Sequence, residues 1–589
     1  MTLISLFPQI HFIVSRGHEW HGANAISHPD EVAYSAYVAS LMRGSPRRYD
    51  PYTGRGAETG ESLFSVQLIP AYAIALPGRW LGISAATLFI ILPGLCAFAS
   101  SLALFWFLGL LTRDPRLSAA GVAVTLCLGT LIARQGIIRH VAKLNFLIPL
   151  WLSQRVAPTS VYHLPFLRLY QPAVAFPLFF VLCAFVWQAL TQLNGRRSAL
   201  NAVAAGMTLG ILIFSYFYLW TAAAAWLACL AALWATFRRS DFKRVTAVFG
   251  IIMIVVLPVL IGYFVMLSHR AETVDRAQAL VLTHRPDLFR LSEIVSFLVL
   301  LALMIGARRR MFQWRQPVVL FAASLALTVL VIFNQQVITG RSLQPIHYEW
   351  FIGNYVALTA LVLTAPLCWR NQTSAVLTNK RVAVIAALIL AWGLGEVWLA
   401  ASVSWDRNRG NDELRPMAQH LASLARAEPG SRATVLLSDL ALADRLPTDA
   451  PQSLLWAPRM LVFPGVSERE NRERFFRQLY YLGYDEAKIW RELDQRDWNF
   501  YTGLFPYSRL DPAITGTPTP IMPEEFRAQI KDYLNYGGSF DRQQAASPTL
   551  SYVVVHTGDQ FDFRNLDRWY LRDGGEHVGD FILYSVKLK

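Results

Sequence analysis

The residues best suited to chemistry in this chain sit in a few polar stretches. The first is His28-Pro29-Asp30-Glu31, at the head of a segment whose spacing predicts a helix to Met42, closed by Gly44. Tyr34, Val38 and Leu41 share one face of it at i, i+4 and i+7. Both acids then fall in the first turn, where the helix dipole favours negative charge. A carboxylate there could take the proton of an acceptor hydroxyl, or hold a divalent cation that neutralises a lipid phosphate. It could equally do no more than cap the helix. His18, His21 and His28 lie nearby, but their spacing matches no standard metal site. Ordinary interfacial histidines are the simpler reading and the metal stays unassigned, while His28, beside the acids, is a candidate for binding substrate.

A second stretch runs through Asn334-Gln335-Gln336, Thr339-Gly340-Arg341 and Gln344-Pro345-Ile346-His347-Tyr348-Glu349-Trp350. Amides, an Arg, a His and two aromatics suit a sugar ring, which stacks on aromatics, beside a phosphate bound by Arg. Gln336, Arg341, His347 and Tyr348 are the candidates here. Thr283-His284-Arg285-Pro286-Asp287 adds His284 and Asp287, and Phe166-Leu167-Arg168-Leu169-Tyr170-Gln171-Pro172 adds Arg168 and Tyr170. Each cluster has a plainer reading as an interfacial anchor, since Arg, Tyr and Trp gather at membrane surfaces. Their shared sidedness argues for more.

That sidedness comes from the elements between them. Apolar runs fall at roughly 2–14, 84–111, 118–133, 171–192, 199–217, 218–236, 245–267, 290–306, 317–333, 351–369 and 382–402. Most approach the length of a bilayer span, so the expected fold is a polytopic α-helical membrane protein of about eleven spans. Alternate loops are short and rich in base: Arg113 and Arg116; Arg196 and Arg197; Arg238, Arg239, Lys243 and Arg244; Arg308, Arg309, Arg310 and Arg315; Arg370, Lys380 and Arg381. Short basic loops stay in the cytoplasm, which puts the chemically suited loops outside. The net charge of +14 is explained by those inner loops and anionic lipid, and no basic groove for nucleic acid is visible.

Residues 1–402 therefore read as a transmembrane domain, with an outer loop 15–62 and an interfacial helix over 63–80. Thr2 to Val14 is short and holds Pro8; it could be a truncated first span with the true start upstream. Segment 199–236 divides into two helices at Tyr216 to Thr221, and Asn145 to Leu152 is too short to span. From Trp405 charge becomes common. Ala433 to Asp439, Tyr552 to His556 and Phe581 to Val586 read as strands and 467–496 as helical, so 403–589 is expected to be a soluble extracytoplasmic mixed α/β domain. All five cysteines lie in apolar runs, which leaves no disulfide framework.

The acidic first loop in HPDEVAYSAYVASLMRG, followed by a surface helix, resembles the GT-C superfamily of membrane glycosyltransferases, which use polyprenyl-phosphate sugars. The resemblance covers the layout of residues 1–402 and the outer tail, and its flavour is that of uncharacterised bacterial members. It implies a catalytic Asp in the first outer loop, where Asp30 or Glu31 matches. It implies a lipid-linked sugar donor, membrane lipids and a saccharide, lipid or protein acceptor as partners, no certain cofactor beyond a divalent cation, and a place in the bacterial inner membrane. No WWDYG-type motif occurs, which argues against the oligosaccharyltransferase branch. The competing reading is a transporter or lipid flippase, which would need acids deep in several spans; Glu396 is the one clear case. A lipid-linked polysaccharide polymerase or ligase is a third.

Overall fold

The computed structural model describes residues 1–56, 60–143, 168–271, 286–340, 344–369, 379–428, 433–495, 497–510 and 521–589. The chain divides into two compact units: Met1–Phe12, Ile90–Ser268 and Leu282–Ser404 form the first, and Ile13–Phe89, His269–Val281 and Trp405–Lys589 the second.

The first unit is helical. Among the described residues, seven helices are long and apolar enough to cross a membrane: Ala85–Thr112, Phe217–Phe237, Arg239–Ser268, Leu291–Arg308, Pro317–Asn334, Pro345–Cys368 and Lys380–Val403. Pro115–Cys127 and Phe176–Thr191 are apolar but shorter. The eleven apolar runs of the sequence thus do not all become full-length spans. A run of apolar residues sets composition, while helix length also depends on where the chain turns. Helices Pro317–Asn334 and Pro345–Cys368 are central and mostly buried, whereas Lys380–Val403 is largely exposed. Phe321 fills the centre, its ring 5.0 Å from Trp187 and 5.8 Å from Trp226, whose indole N–H donates to Ser324 Oγ at 3.0 Å. Small residues bring other helices close. An added Cβ at Gly121 would sit 2.6 Å from Val362, and one at Gly206 2.8 Å from Val255. Segment 199–236 does divide, into Gly195–Ile213 and Phe217–Phe237. Asn194 caps the former by accepting the Arg197 N–H. Asn145 to Leu152 lies outside the described residues.

In the second unit six strands form one sheet: β1 (Thr434–Leu437), β2 (Ser453–Leu454), β3 (Tyr552–His556), β4 (Tyr570–Arg572), β5 (Glu576–Val578) and β6 (Phe581–Leu588). The order is β2-β1-β3-β6-β4, with β5 also on β6. β1 runs parallel to β2 and β3, and β6 antiparallel to β3 with Val554 opposite Leu583. β1, β3 and β6 are the expected strands. The expected helical stretch 467–496 is two helices, Glu468–Tyr481 and Glu486–Gln495. Gly483 separates them at φ +64, a conformation other residues adopt at a cost. One core packs Leu436, Tyr481, Val553 and Leu566; another packs Trp456, Phe475, Phe500 and Ile530.

The helix Glu31–Met42 appears where the spacing places it. It is not one-faced, however, because every residue from Glu31 to Leu41 is buried. Ser35 Oγ meets Thr448 Oγ1 at 2.9 Å, and Tyr37 packs on Phe64 and Phe463. Those partners come from distant sequence, so the local pattern could not reveal them. Within 63–80, Ser62 caps a short turn, Leu63–Val66, and a second helix, Leu68–Leu81, ends at Gly82 with Trp80 77% exposed.

Candidate functional site

The segment before helix Glu31–Met42 has little regular structure, so its backbone polar groups need partners elsewhere. Helix Trp405–Glu413 supplies many of them. Asp412, with Arg16 3.4 Å away, accepts the N–H groups of His21 and Ala23 at 3.0 and 2.9 Å. Asn408 Oδ1 accepts that of Ile26 at 2.8 Å, and Arg407 donates to the carbonyls of Ile26 and Ser27. Further along, Arg445 donates to Asn24 Oδ1 at 2.9 Å and Arg415 to the His21 carbonyl at 2.7 Å. These bonds fix the residues leading to His28 and hence the two acids.

The acids then diverge. Glu31 is buried, and its Oε2 accepts the Ser27 N–H at 3.0 Å, closing the loop in front of the helix. Asp30 keeps 47% of its side chain exposed. It stands at the N-cap position with helical φ and ψ and makes no side-chain capping bond, so the capping role open to it in the sequence is not the one it takes. His28 Nδ1 lies 3.6 Å from the Asp30 carboxylate and accepts the Asp30 backbone N–H at 3.2 Å. Arg459 supplies the charge: its Nε is 3.5 Å from Asp30 Oδ1. Arg459 also donates through Nη1 to Asp444 Oδ2 at 2.6 Å, and its backbone N–H reaches Asp444 Oδ1 at 3.0 Å. Burial works against the Arg459 charge, but Asp444 and Asp30 outweigh it and hold the guanidinium above its ordinary value. Burial raises the Asp444 carboxyl even against Arg459. Tyr507 and Tyr52 complete the surround, both phenols raised by burial.

Other candidates belong to the first unit. Arg168 is buried, with Nε donating to the Gln171 carbonyl at 2.8 Å and the guanidinium 4.4 Å from the Phe351 ring centre. Tyr170 is buried beside it at φ +71. His347 stacks flat on Tyr218 at 4.2 Å and shares a hydrogen bond with the Tyr216 hydroxyl at 2.9 Å. Tyr218 donates to Gln344 Oε1 at 2.7 Å, and Tyr348 pairs with Thr221 Oγ1 at 2.7 Å. Phe351 lies 5.7 Å from His347, so Arg168 and His347, far apart in sequence, flank one ring. A π-helical turn, Glu349–Gly353, allows this crowding at the head of the span. Asp287 goes to a different cluster: it pairs with Arg290 at 2.5 Å, and Arg290 also pairs with Glu349. Asn334 bridges the Asp287 backbone and donates to Glu293. Gln336 is buried in the turn Gln336–Thr339. His284 and Arg341 lie outside the described residues. Glu396 accepts the Ile137 N–H at 3.1 Å, against Gly136 at φ +62, where a Cβ would overlap its carboxylate.

Among the described residues, no group of three His, Cys, Asp or Glu side chains could hold a metal ion. Sequence reasoning does not point to Arg459, Asp444 or Tyr507. No local signal marks them, because each gains meaning only beside Asp30.

No family model matches the chain, and no curated protein matches it. Solved structures do. The oligosaccharyltransferase AglB of Archaeoglobus fulgidus, in complex with an inhibitory peptide and a dolichol-phosphate, is 13% identical with TM-score 0.48, over 100% of this chain and 73% of that one. ArnT of Cupriavidus metallidurans, bound to undecaprenyl phosphate, is 9% identical with TM-score 0.48, over 99% and 97%. The mycobacterial arabinofuranosyltransferase AftD is 12% identical with TM-score 0.45, over 96% of this chain and 41% of that one. All three likenesses are of fold, at TM-scores below 0.5.

Proposed function

We propose that this chain is a membrane glycosyltransferase that moves a sugar from a polyprenyl-phosphate donor to an extracytoplasmic acceptor, with Asp30 as general base. The observation that carries this is the division of labour between the two acids. Glu31 is buried and occupied by the Ser27 N–H, while Asp30 is half exposed and steadied by Arg459. A base must reach substrate and still be held in place, and Asp30 meets both conditions. In the reaction Asp30 takes the proton of an acceptor hydroxyl. The hydroxyl oxygen bonds to the anomeric carbon as the bond from that carbon to the phosphate oxygen breaks, releasing the polyprenyl phosphate with inversion. The aromatic and cationic groups around Phe351, Arg168 and His347 among them, have the chemistry to receive a sugar ring and a phosphate. Arg341, His284, Gln336 and Tyr348 remain candidates for the same task. The chain sits in this reading in a bacterial inner membrane, with 403–589 outside the cytoplasm. Glu396, the acid a transport route would call on, is engaged by the Ile137 N–H instead.

The test uses the full chain in lipid nanodiscs with undecaprenyl-phosphate sugars as donors and an envelope extract as acceptor. Asp30→Asn should retain the fold and lose roughly 10²–10⁴-fold in transfer, the usual effect of removing a general base. Transfer by D30N at the unmodified rate removes Asp30 from the chemistry.

A further inference from the structure

Arg459 is shared unequally between two carboxylates of the second unit. Asp444, buried, holds Nη1 at 2.6 Å and the Arg459 backbone N–H at 3.0 Å. Asp30 lies 3.5 Å from Nε, and among the described residues that Nε makes no hydrogen bond. A guanidinium facing a lone carboxylate ordinarily closes on it with two short parallel bonds. Such a closed pair would hold Asp30 firmly but strip it of basicity, because the cation stabilises the ionised form. Here the guanidinium is drawn to the other side. Asp444 is fixed there by its place in the turn Ala443–Arg445.

We propose that Asp444 is a positioning residue for Asp30, acting through Arg459: it absorbs the guanidinium's charge, so that Arg459 orients Asp30 without quenching it as a base. This rests on the reading of Asp30 as the base. His28 Nδ1 accepts the Asp30 N–H, Glu31 is turned to Ser27, Arg407 is on the carbonyls of Ile26 and Ser27, and the Tyr507 hydroxyl donates to the Pro458 carbonyl at 2.5 Å.

The experiment reads Asp30 directly and needs no turnover. The purified full chain is treated with a water-soluble carbodiimide and an amine across a pH series, and modification of Asp30 is followed by mass spectrometry of the fragment between Arg16 and Arg43. Asp444→Asn should move the midpoint of Asp30 modification down by about one pH unit, the scale of an Asp beside an unshared Arg. Arg459→Gln should move it up. An unmoved or raised midpoint in D444N overturns the proposal. If D444N does not fold, the comparison passes to R459Q against R459Q/D444N, which removes the buried pair together. With no guanidinium left to act through, the double variant should titrate with R459Q, and a separation of about one pH unit between the two overturns the proposal. Either failure leaves the transfer assay of D30N as the separate test of the base itself.

Discussion

Asp50 offers a stability test with a defined sign. It is fully buried in the turn after helix Glu31–Met42, where Oδ1 accepts the Tyr52 N–H at 2.8 Å and Oδ2 takes the Thr53 hydroxyl at 2.5 Å. Burial pushes its carboxyl up to about 6 from an ordinary 3.8, against the opposing pull of Thr53, the backbone amides of Tyr52 and Thr53, and Arg474. Below the ordinary value the carboxyl is protonated in both folded and unfolded chains, and its contribution to stability is complete. As pH rises from about 4 to about 6, the unfolded chain ionises and the folded one resists, so stability is lost; above that it is level. At 1.36 kcal/mol per pH unit the loss is about 3 kcal/mol. Asp50→Asn cannot ionise and keeps an oxygen to accept one of the two bonds. The difference in unfolding temperature between D50N and the unmodified chain cancels other titrations. It should climb through that window in favour of D50N and then flatten. Thermal unfolding of the full chain in detergent, followed by tryptophan fluorescence from about pH 4 to about pH 8, measures it. A difference that stays constant with pH, or that grows toward acid, refutes the reasoning.

Orientation is open to a direct check: a reporter active only in the periplasm should work when fused after Lys589 and be silent when inserted at Arg308, and the reverse pattern would place 403–589 in the cytoplasm. Arg47 grips Glu61 with two bonds of 2.7 and 2.6 Å and donates to the Ser65 carbonyl at 2.7 Å. Arg47→Lys keeps the charge but not the fork and should cost about 1 kcal/mol, whereas Arg47→Met leaves the buried Glu61 carboxylate unpaired and should cost about 2 kcal/mol, less than a fully buried pair because Arg47 is part-exposed. The same unfolding assay ranks the three, and equal stabilities would show that the pair carries no weight.

Much of the secondary structure was legible along the chain. β3 begins and ends where the apolar run Tyr552 to His556 does, and helix Glu31–Met42 where its spacing and Gly44 place it. These signals are local, because periodicity and turn residues act over a few positions. β2, β4 and β5 gave no such signal: they are two or three residues each, and exist because β1 and β6 offer backbone partners. Span number was less legible than span composition: Pro115–Cys127 and Phe176–Thr191 are apolar yet shorter than the seven long helices among the described residues.

For the candidate site, the sequence alone determined the residue types: two adjacent acids at a helix start, and polar, aromatic clusters between apolar runs. It could not choose between Asp30 and Glu31, which are chemically alike and one residue apart. Tertiary structure sets them apart, with Glu31 turned into the Ser27 loop and Asp30 half exposed beside Arg459. Nor could sequence bring Arg168 and His347 to one Phe351 ring, or Arg459 and Asp444 to Asp30. The physical reason is the range of the forces involved. Helix and strand patterns are written in neighbours, while burial and charge pairing act between groups that only folding brings within a few ångströms.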